Sequence, residues 1–171
     1  VQHNRLSHAL LFLGKEGSGS LSLAIAFAQY IVCEKVNRKS EVGSQSPSLF
    51  GEPEPPNSNT EHSTLNDSCG VCPACQKAQQ LIHPDIHFSY PTVTTKPGEK
   101  PIATNFITDW REFVKLSPYG NSYDWIEQIK EKENSQGKIT AEECNDIIRK
   151  LSLKSFESVY KILIMWMPEM L

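Results

Sequence analysis

Four of the five cysteines are spaced so that they can bind one metal ion. Cys69, Cys72 and Cys75 form a C-x2-C-x2-C run, which gathers three thiols over a turn and the start of a helix. Cys33, at the end of an earlier predicted helix, can supply the fourth ligand. Four thiolates leave no open coordination position, so the pattern predicts a structural zinc site rather than a catalytic one.

Other uses of these thiols fit the sequence less well. A redox C-x-x-C pair requires a thioredoxin-like setting, and a disulfide requires an oxidising compartment; the sequence indicates neither. His83 and His87 follow the cysteine run and stay open as substitute ligands, although packing roles are expected for both. Cys144 lies on the apolar side of a predicted helix, where a small core residue is expected.

The segment GKEGSGSL is a second candidate site, because a strand, a glycine-rich loop and a helix in this order are typical of phosphate-binding loops. The pattern G-x-x-x-x-G-K-[ST] laid on Gly14 puts Gly19 at the second glycine, and Gly17 adds to the same backbone scaffold. Ser20 then stands at the lysine position and Leu21 at the Ser/Thr position. The groups that neutralise phosphate and bind Mg²⁺ are therefore missing.

The second half of such a site is a strand that ends in acidic residues, which hold the metal and polarise the attacking water. The apolar run KILIMWMPEML ends in Trp166 and Met167 where the acids belong, and Glu169 comes too late in the chain. Because both halves lack their chemistry together, the sequence predicts a degenerate site with no functional ATP or Mg²⁺.

Alternating strands and helices predict an α/β domain with a parallel sheet flanked by helices. We expect a buried strand at 8–13, an alternating strand at 86–90 and a nearly continuous apolar strand at 161–166, the last in a parallel sheet covered on both faces. The predicted helices are 20–33, packed deeply; 72–81; 108–116, capped by Thr108 or Asp109; 123–133; and one opened by a Thr140–Glu143 capping box, with Cys144, Ile147, Ile148 and Leu151 on its apolar side.

Residues 40–68 differ in composition from the rest of the chain, with seven serines and four prolines in 29 residues, so we expect a mobile insertion. The net charge of −3 argues against a protein that coats nucleic acid by charge alone. The longest apolar run has six residues, far short of a membrane span. Because the chain begins at Val1 and ends just after a strand-like run, we expect a fragment trimmed at both ends.

Taken together, HALLFLG-x-x-G-x-G, the helix ending at Cys33, C-x2-C-x2-C, HPDIHF and LSLKSFESVYKILIMWMPEML resemble bacterial clamp-loader subunits. These are AAA+ proteins of the DNA polymerase III holoenzyme. The resemblance implies a P-loop NTPase-like AAA+/RecA-type fold for residues 1–171, cut before the lid and collar domains. Residues 33–82 would form an inserted zinc module that contains the mobile segment 40–68.

The family has two relevant branches. Gamma/tau subunits keep the loop lysine and the acidic strand end and hydrolyse ATP, whereas the delta-prime branch commonly lacks this chemistry and acts as a stator. Ser20, Leu21, Trp166 and Met167 are similar to the second branch. The resemblance implies a cytoplasmic, non-catalytic replication subunit. Its partners would be gamma/tau and delta, with DNA and the sliding clamp reached through the whole assembly and no role at a membrane.

Two alternatives remain open at this point. An ATP-hydrolysing subunit of the gamma/tau type would need Lys and Thr at positions 20 and 21, which the sequence lacks. A separate zinc module that binds nucleic acid would need a basic, aromatic surface beside the cysteines. Lys77 is the nearby base and Asp67 is acidic, so this reading is weak.

Overall fold

The computed structural model describes residues 6–37, 67–95, 98, 100–130 and 135–171. The helices and strands that the structure describes in full are α1 Ser20–Val32, α2 Pro73–Gln79, β1 Ile86–Ser89, α3 Ile107–Leu116, α4 Ser122–Ile129, α5 Ala141–Ser152 and β2 Ile162–Met165, and residues 34–37 are also helical. Short 3-10 turns cover Ala103–Phe106 and Pro168–Met170. Most of the predicted insertion 40–68 falls outside the described residues. No helix in the described ranges is long and apolar enough to cross a membrane.

Strands β1 and β2 form a parallel pair, which confirms the predicted arrangement. Ile86 lies opposite Ile162 and Ser89 opposite Met165. Parallel strands cannot be joined by a tight turn, and helices α3, α4 and α5 supply the long crossover between them. The apolar composition of β2 fits this setting, and Phe88 of β1 and Ile164 of β2 are buried.

The predicted strand at 8–13 is wrong for the described chain. The segment is irregular, and Leu11 and Leu13 are 76% and 86% exposed. A strand is stabilised by hydrogen bonds to a neighbouring strand, and in the described residues β2 pairs with β1 and not with this segment. Contact with α1 is provided by Phe12, whose ring centroid lies 6.0 Å from that of Phe27. The run is apolar, as a strand would be, but among the described residues no strand forms hydrogen bonds with it.

Helix α1 begins and ends as predicted, but it is less buried than expected. Ala28, Ile31 and Val32 are buried, whereas Leu23 is 59% exposed. The small residues of α1 face small residues of α2, including Ala74. The C-terminal half of the helix therefore packs closely, and its first turns are left more open.

The central core is an aromatic cluster between β1, α3, α4 and the end of β2. The Tyr90 ring stacks on the fully buried Trp110 with centroids 4.0 Å apart, and Trp125 meets Trp110 edge-on at 5.2 Å. The Tyr90 hydroxyl donates to the Ala103 carbonyl at 2.7 Å and Trp125 Nε1 donates to the Pro91 carbonyl at 2.7 Å, whereas Trp110 Nε1 is buried with no hydrogen-bond partner among the described residues. Aromatic burial and satisfied hydrogen bonds together fix the helices against the strand.

The ends of α3 and α4 differ from the predictions. Helix α3 begins at Ile107 with no side-chain cap, because the Ala103–Phe106 turn runs directly into it; neither Thr108 nor Asp109 is the N-cap. Helix α4 has an Asn121–Asp124 capping box and ends at Ile129 rather than at 133.

Helix α5 forms half of its predicted capping box. The Thr140 hydroxyl accepts from the Glu143 N–H, but the Glu143 carboxylate accepts from the Ala103 N–H at 2.6 Å instead of bonding back to the cap. The Glu143 carboxylate therefore pairs with the buried Ala103 N–H, which is distant in the chain, rather than with the start of its own helix. The expected apolar side is also narrower, because Ile148 and Leu151 are 66% and 43% exposed.

The segment 153–160 between α5 and β2 is held by two charged groups. The fully buried Asp85 carboxylate accepts three backbone N–H bonds, from residues 156, 157 and 158, at 2.6 to 2.8 Å. The Lys161 ammonium donates to the carbonyls of residues 150, 153 and 154 at 2.6 to 3.1 Å. The segment is therefore ordered although Phe156 and Val159 are 80% and 70% exposed.

Replacing Asp85 by Asn should lower the free energy of unfolding by about 2–3 kcal/mol at neutral pH, because charge-assisted bonds to buried N–H groups are lost. Burial acts to raise the pKa of Asp85, but the N–H bonds and His83 outweigh it and hold the pKa below its ordinary value. A carboxyl with a lowered folded pKa stabilises the fold fully above its unfolded pKa, about 4, and loses this effect as pH falls through the folded pKa.

Denaturant unfolding of wild type, Asp85→Asn and the exposed control Asp109→Asn at a series of pH values measures the effect. The gap between wild type and Asp85→Asn should shrink as the medium is acidified below about pH 4. An Asp85→Asn protein as stable as Asp109→Asn at neutral pH would contradict the role of the three N–H bonds.

Candidate metal centre and glycine loop

The four predicted ligand cysteines are brought together by the ends of two helices. Cys33 caps the C-terminus of α1, and Cys72 caps the N-terminus of α2, with Cys75 in the first turn of that helix. Cys69 precedes Gly70, whose φ of +69° is a left-handed conformation that glycine adopts without strain. The close packing of α1 against α2 then places all four sulfur atoms within 4.8 Å of one another.

The sulfur geometry fits a tetrahedral thiolate site. A regular tetrahedron with Zn–S distances of about 2.3 Å separates its sulfurs by about 3.8 Å, and Cys69 Sγ lies 4.0 Å from Cys75 Sγ. All four thiols are free, and this separation is far beyond the S–S bond of about 2.0 Å. Cys33, Cys72 and Cys75 are buried, so the cluster is enclosed by protein on most sides.

The backbone around the cluster orients and polarises the sulfurs. The Cys69 N–H donates to Cys33 Sγ at 3.4 Å, and the Cys75 N–H donates to Cys72 Sγ at 3.5 Å. Backbone N–H groups of Val71 and Cys72 lower the pKa of Cys69 to about 6, so this sulfur is a thiolate at neutral pH. Burial raises the pKa of Cys75 above its ordinary value. A divalent cation would favour the thiolate form of all four and offset the cost of burying their charge.

Neither histidine is part of the cysteine group. The His83 side chain is fully buried, its Nδ1 accepts from the Asp85 N–H at 3.1 Å, and its Nε2 lies 4.0 Å from Glu157 Oε2. Burial lowers the pKa of His83 and also that of His87, with Lys150 adding to the effect on His87. Both therefore act as neutral packing residues at neutral pH. Cys144 lies apart from the group, half-buried on α5 rather than in the core.

The glycine loop is a tight turn in which two glycines adopt left-handed conformations. Gly17 and Gly19 have φ values of +75° and +81°, and the Ser18 N–H donates to the Lys15 carbonyl at 3.0 Å in the tight turn. Gly19 precedes α1 with no side-chain cap, and Ser20 and Leu21 are the first two residues of the helix. Gly14 stands just before the turn.

The residues that follow β2, Trp166 and Met167, form the strand tip, and the first of them packs in the aromatic core. Trp166 follows β2 and is buried, with its ring centroid 5.4 Å from that of Trp110 and 5.8 Å from that of Phe113. The backbone N–H of Trp166 donates to the Ser89 carbonyl at 2.9 Å. Met167 comes next with φ of +57°, a strained value for a non-glycine residue, and turns the chain into Pro168–Met170.

The sequence interpretation missed three residues with large structural roles. Asp85 and Lys161 hold the segment 153–160, and Tyr119 lies against Gly19. The HPD motif and the lysine just before an apolar strand were the available signals for the first two. Nothing local in the sequence indicates the partner of Tyr119, because the contact joins residues 100 positions apart.

Comparison with known proteins finds a family that resembles the first part of the chain. Residues 1–49, which include the glycine loop, α1 and Cys33, match a protein family described as "DNA polymerase III, delta subunit". No solved structure matches the chain.

One curated relative narrows the resemblance. "DNA polymerase III subunit delta'" of Bacillus subtilis (strain 168) is 30% identical over 91 residues, which is 53% of this chain and 19% of that relative. The chain thus resembles a delta-prime subunit, and the match spans about a fifth of that subunit's length.

Protein purified without chelator should contain about one zinc ion per chain. Replacing Cys75 by Ser should reduce the zinc content several-fold and lower the melting temperature, because one ligand and a link between α1 and α2 are lost. The matched control is Cys144→Ser, which removes a thiol outside the group and should keep the metal.

Elemental analysis and thiol titration measure both outcomes. Less than about half an equivalent of zinc, with four freely titratable thiols, would contradict a structural site. Because zinc binding displaces protons from the thiols, metal should also be lost as the pH is lowered.

Proposed function

We propose that this chain is the N-terminal AAA+ region of a non-catalytic clamp-loader subunit of the delta-prime type. Residues 1–171 would carry the P-loop NTPase-like fold, with a structural zinc module at 33–82. In the assembled clamp loader the protein would act as a stator that helps other subunits place the sliding clamp on DNA during replication. Its proposed location is the bacterial cytoplasm, where that replication takes place.

The observation that carries the proposal is the loss of chemistry at both halves of the nucleotide site. At the loop, α1 offers backbone N–H groups and a helix dipole equivalent to about half an elementary charge. Ser20 cannot supply the cation that normally offsets the β- and γ-phosphate charge, and Leu21 cannot bind Mg²⁺. The loop scaffold alone is therefore too weak to hold a triphosphate with its metal.

At the strand tip, Trp166 occupies the position where an ATPase would carry an acid, and its ring is part of the aromatic core. Trp166 contacts Trp110 and Phe113 in the core, so an acid at this position would bury a charge among aromatic rings. This packing supports a non-catalytic state that a single substitution at position 166 would not reverse. It disfavours the gamma/tau alternative for the same reason.

The proposed zinc has a structural task in this scheme. Four cysteine ligands would complete its coordination and leave no position for a substrate. Because Cys33 ends α1 while Cys72 and Cys75 begin α2, the ion would tie the helix after the glycine loop to the helix before β1. A rigid connection of this kind suits a subunit whose role is to stay fixed while its neighbours move.

The ordered segment 153–160 supports a role in assembly. Asp85 and Lys161 hold its backbone while Leu153, Phe156 and Val159 stay at least 64% exposed. Exposed apolar side chains on a rigid backbone are typical of protein interaction surfaces. The proposed partners are the gamma/tau and delta subunits, and DNA and the clamp through the whole assembly.

Titration calorimetry of the full-length protein with ATP and Mg²⁺ tests the proposal. We expect no binding in the micromolar range and no hydrolysis, because Ser20 and Leu21 stand where the phosphate-binding lysine and the Mg²⁺ ligand would be. A gamma/tau subunit from the same organism is the positive control. A dissociation constant of a few micromolar, or turnover that is abolished by Ser20→Ala, would favour the ATPase alternative.

Reconstitution of the clamp loader from purified subunits tests whether this protein is one of its components. Adding the full-length protein to gamma/tau and delta should yield a complex that loads the clamp, while ATP hydrolysis depends on gamma/tau alone. A complex that forms and loads the clamp equally well without this protein would contradict the role.

A further inference from the structure

The turn at 117–120, which connects α3 to α4, lies across the glycine loop. A Cβ built on Gly19 would lie 2.9 Å from Cε1 and 3.3 Å from Cδ1 of Tyr119, so the ring rests directly on this glycine. The Ser22 hydroxyl in the first turn of α1 donates to the Pro118 carbonyl at 2.6 Å. One ring contact and one hydrogen bond therefore join the turn to the N-terminus of α1.

The turn is itself anchored to the aromatic core. The Ser117 N–H donates to the Phe113 carbonyl at 2.8 Å, and the Gly120 N–H donates to the Ser117 carbonyl at 2.9 Å. A Cβ on Gly120 would lie 2.6 Å from Cζ of Phe113, so the chain passes tightly over that ring. Phe113 in turn packs against Trp166, whose position would carry an acid in an active site.

We propose that the 117–120 turn is a built-in occupant of the glycine loop, which keeps phosphate groups away from the N-terminus of α1. The inference rests on the proposed non-catalytic function and gives it a physical cause beyond the missing side chains. Gly19 is then required by the Tyr119 ring, not by a phosphate. Trp166 is required because it supports Phe113, which carries the turn.

The electrostatics of the turn act in the same direction as its bulk. The Pro118 carbonyl oxygen points at the first turn of α1, and the Tyr119 carbonyl oxygen lies 3.8 Å from the Cβ position of Gly17. Carbonyl oxygens carry partial negative charge, which repels phosphate oxygens and complements the positive end of the helix dipole. The turn therefore replaces the anion that an active loop would bind.

The first experiment compares two glycines that share a backbone conformation. Gly19→Ala and Gly17→Ala both place a Cβ at a positive φ and incur similar strain, but only the first Cβ meets the Tyr119 ring. In the full-length protein, Gly19→Ala should raise amide hydrogen exchange in the 117–120 turn about tenfold more than Gly17→Ala does. Adding Tyr119→Ala should remove this difference, because the ring is then absent.

The second experiment measures access to the loop with inorganic pyrophosphate as the probe. Calorimetry should detect no binding to wild type, and binding at least about tenfold tighter to the Ser22→Ala/Tyr119→Ala variant, from which both contacts are removed. The control Tyr123→Ala removes an exposed tyrosine of α4 and should behave as wild type. Circular dichroism and metal content confirm that each variant is folded.

Equal exchange in the two alanine variants would overturn the proposal. So would equal pyrophosphate binding, or none, in both wild type and the double variant. Exchange is measured without nucleotide, so it is independent of the ATP test: ATP turnover by wild type would overturn the non-catalytic function, whereas loss of the Gly19–Tyr119 coupling alone would overturn only the role of the turn.

Discussion

Packing around the buried Trp110 indole determines how the main elements of the described structure sit together. Tyr90 at the end of β1, Trp125 of α4 and Trp166 after β2 all contact this ring. Large rigid rings bury much apolar area with few rotatable bonds, so a cluster of this kind constrains direction as well as distance. The crossover between the two strands is compact because its helices share this single anchor.

Two charged groups add order where the aromatic cluster does not reach. Asp85 accepts three backbone N–H bonds and Lys161 donates to three backbone carbonyls, so the segment between α5 and β2 is held from both sides. Asp85 is fully buried whereas Lys161 is half-buried. An isolated buried charge is costly, and backbone N–H dipoles compensate that of Asp85. The same segment meets the cysteine region through the ion pair between Lys77 of α2 and Glu157. Helix α2, which begins within the cysteine run, and the segment before β2 are thus in direct contact.

Sequence patterns were most reliable where the signal is local. The helices at 20–33 and 72–81, the parallel strand pair and the gathering of four cysteines follow from periodicity, capping and spacing, and the structure bears out each of them. The patterns failed where the outcome depends on a distant partner. The run at 8–13 lacks a neighbouring strand in the described residues, and Glu143 leaves its capping box to satisfy the amide of Ala103.

The sequence by itself determined which chemical groups stand at which positions: four thiols spaced for one ion, a glycine loop with Lys15 at its start but no lysine after Gly19, and a strand end without acids. The order of the residues decides these points because folding cannot change which side chain follows a given glycine or ends a given strand. Only the tertiary structure decided what these segments contact, with Trp166 in the aromatic core and Tyr119 against Gly19. Those contacts join residues far apart in the chain, and their geometry depends on how helices and strands pack, which local spacing does not encode.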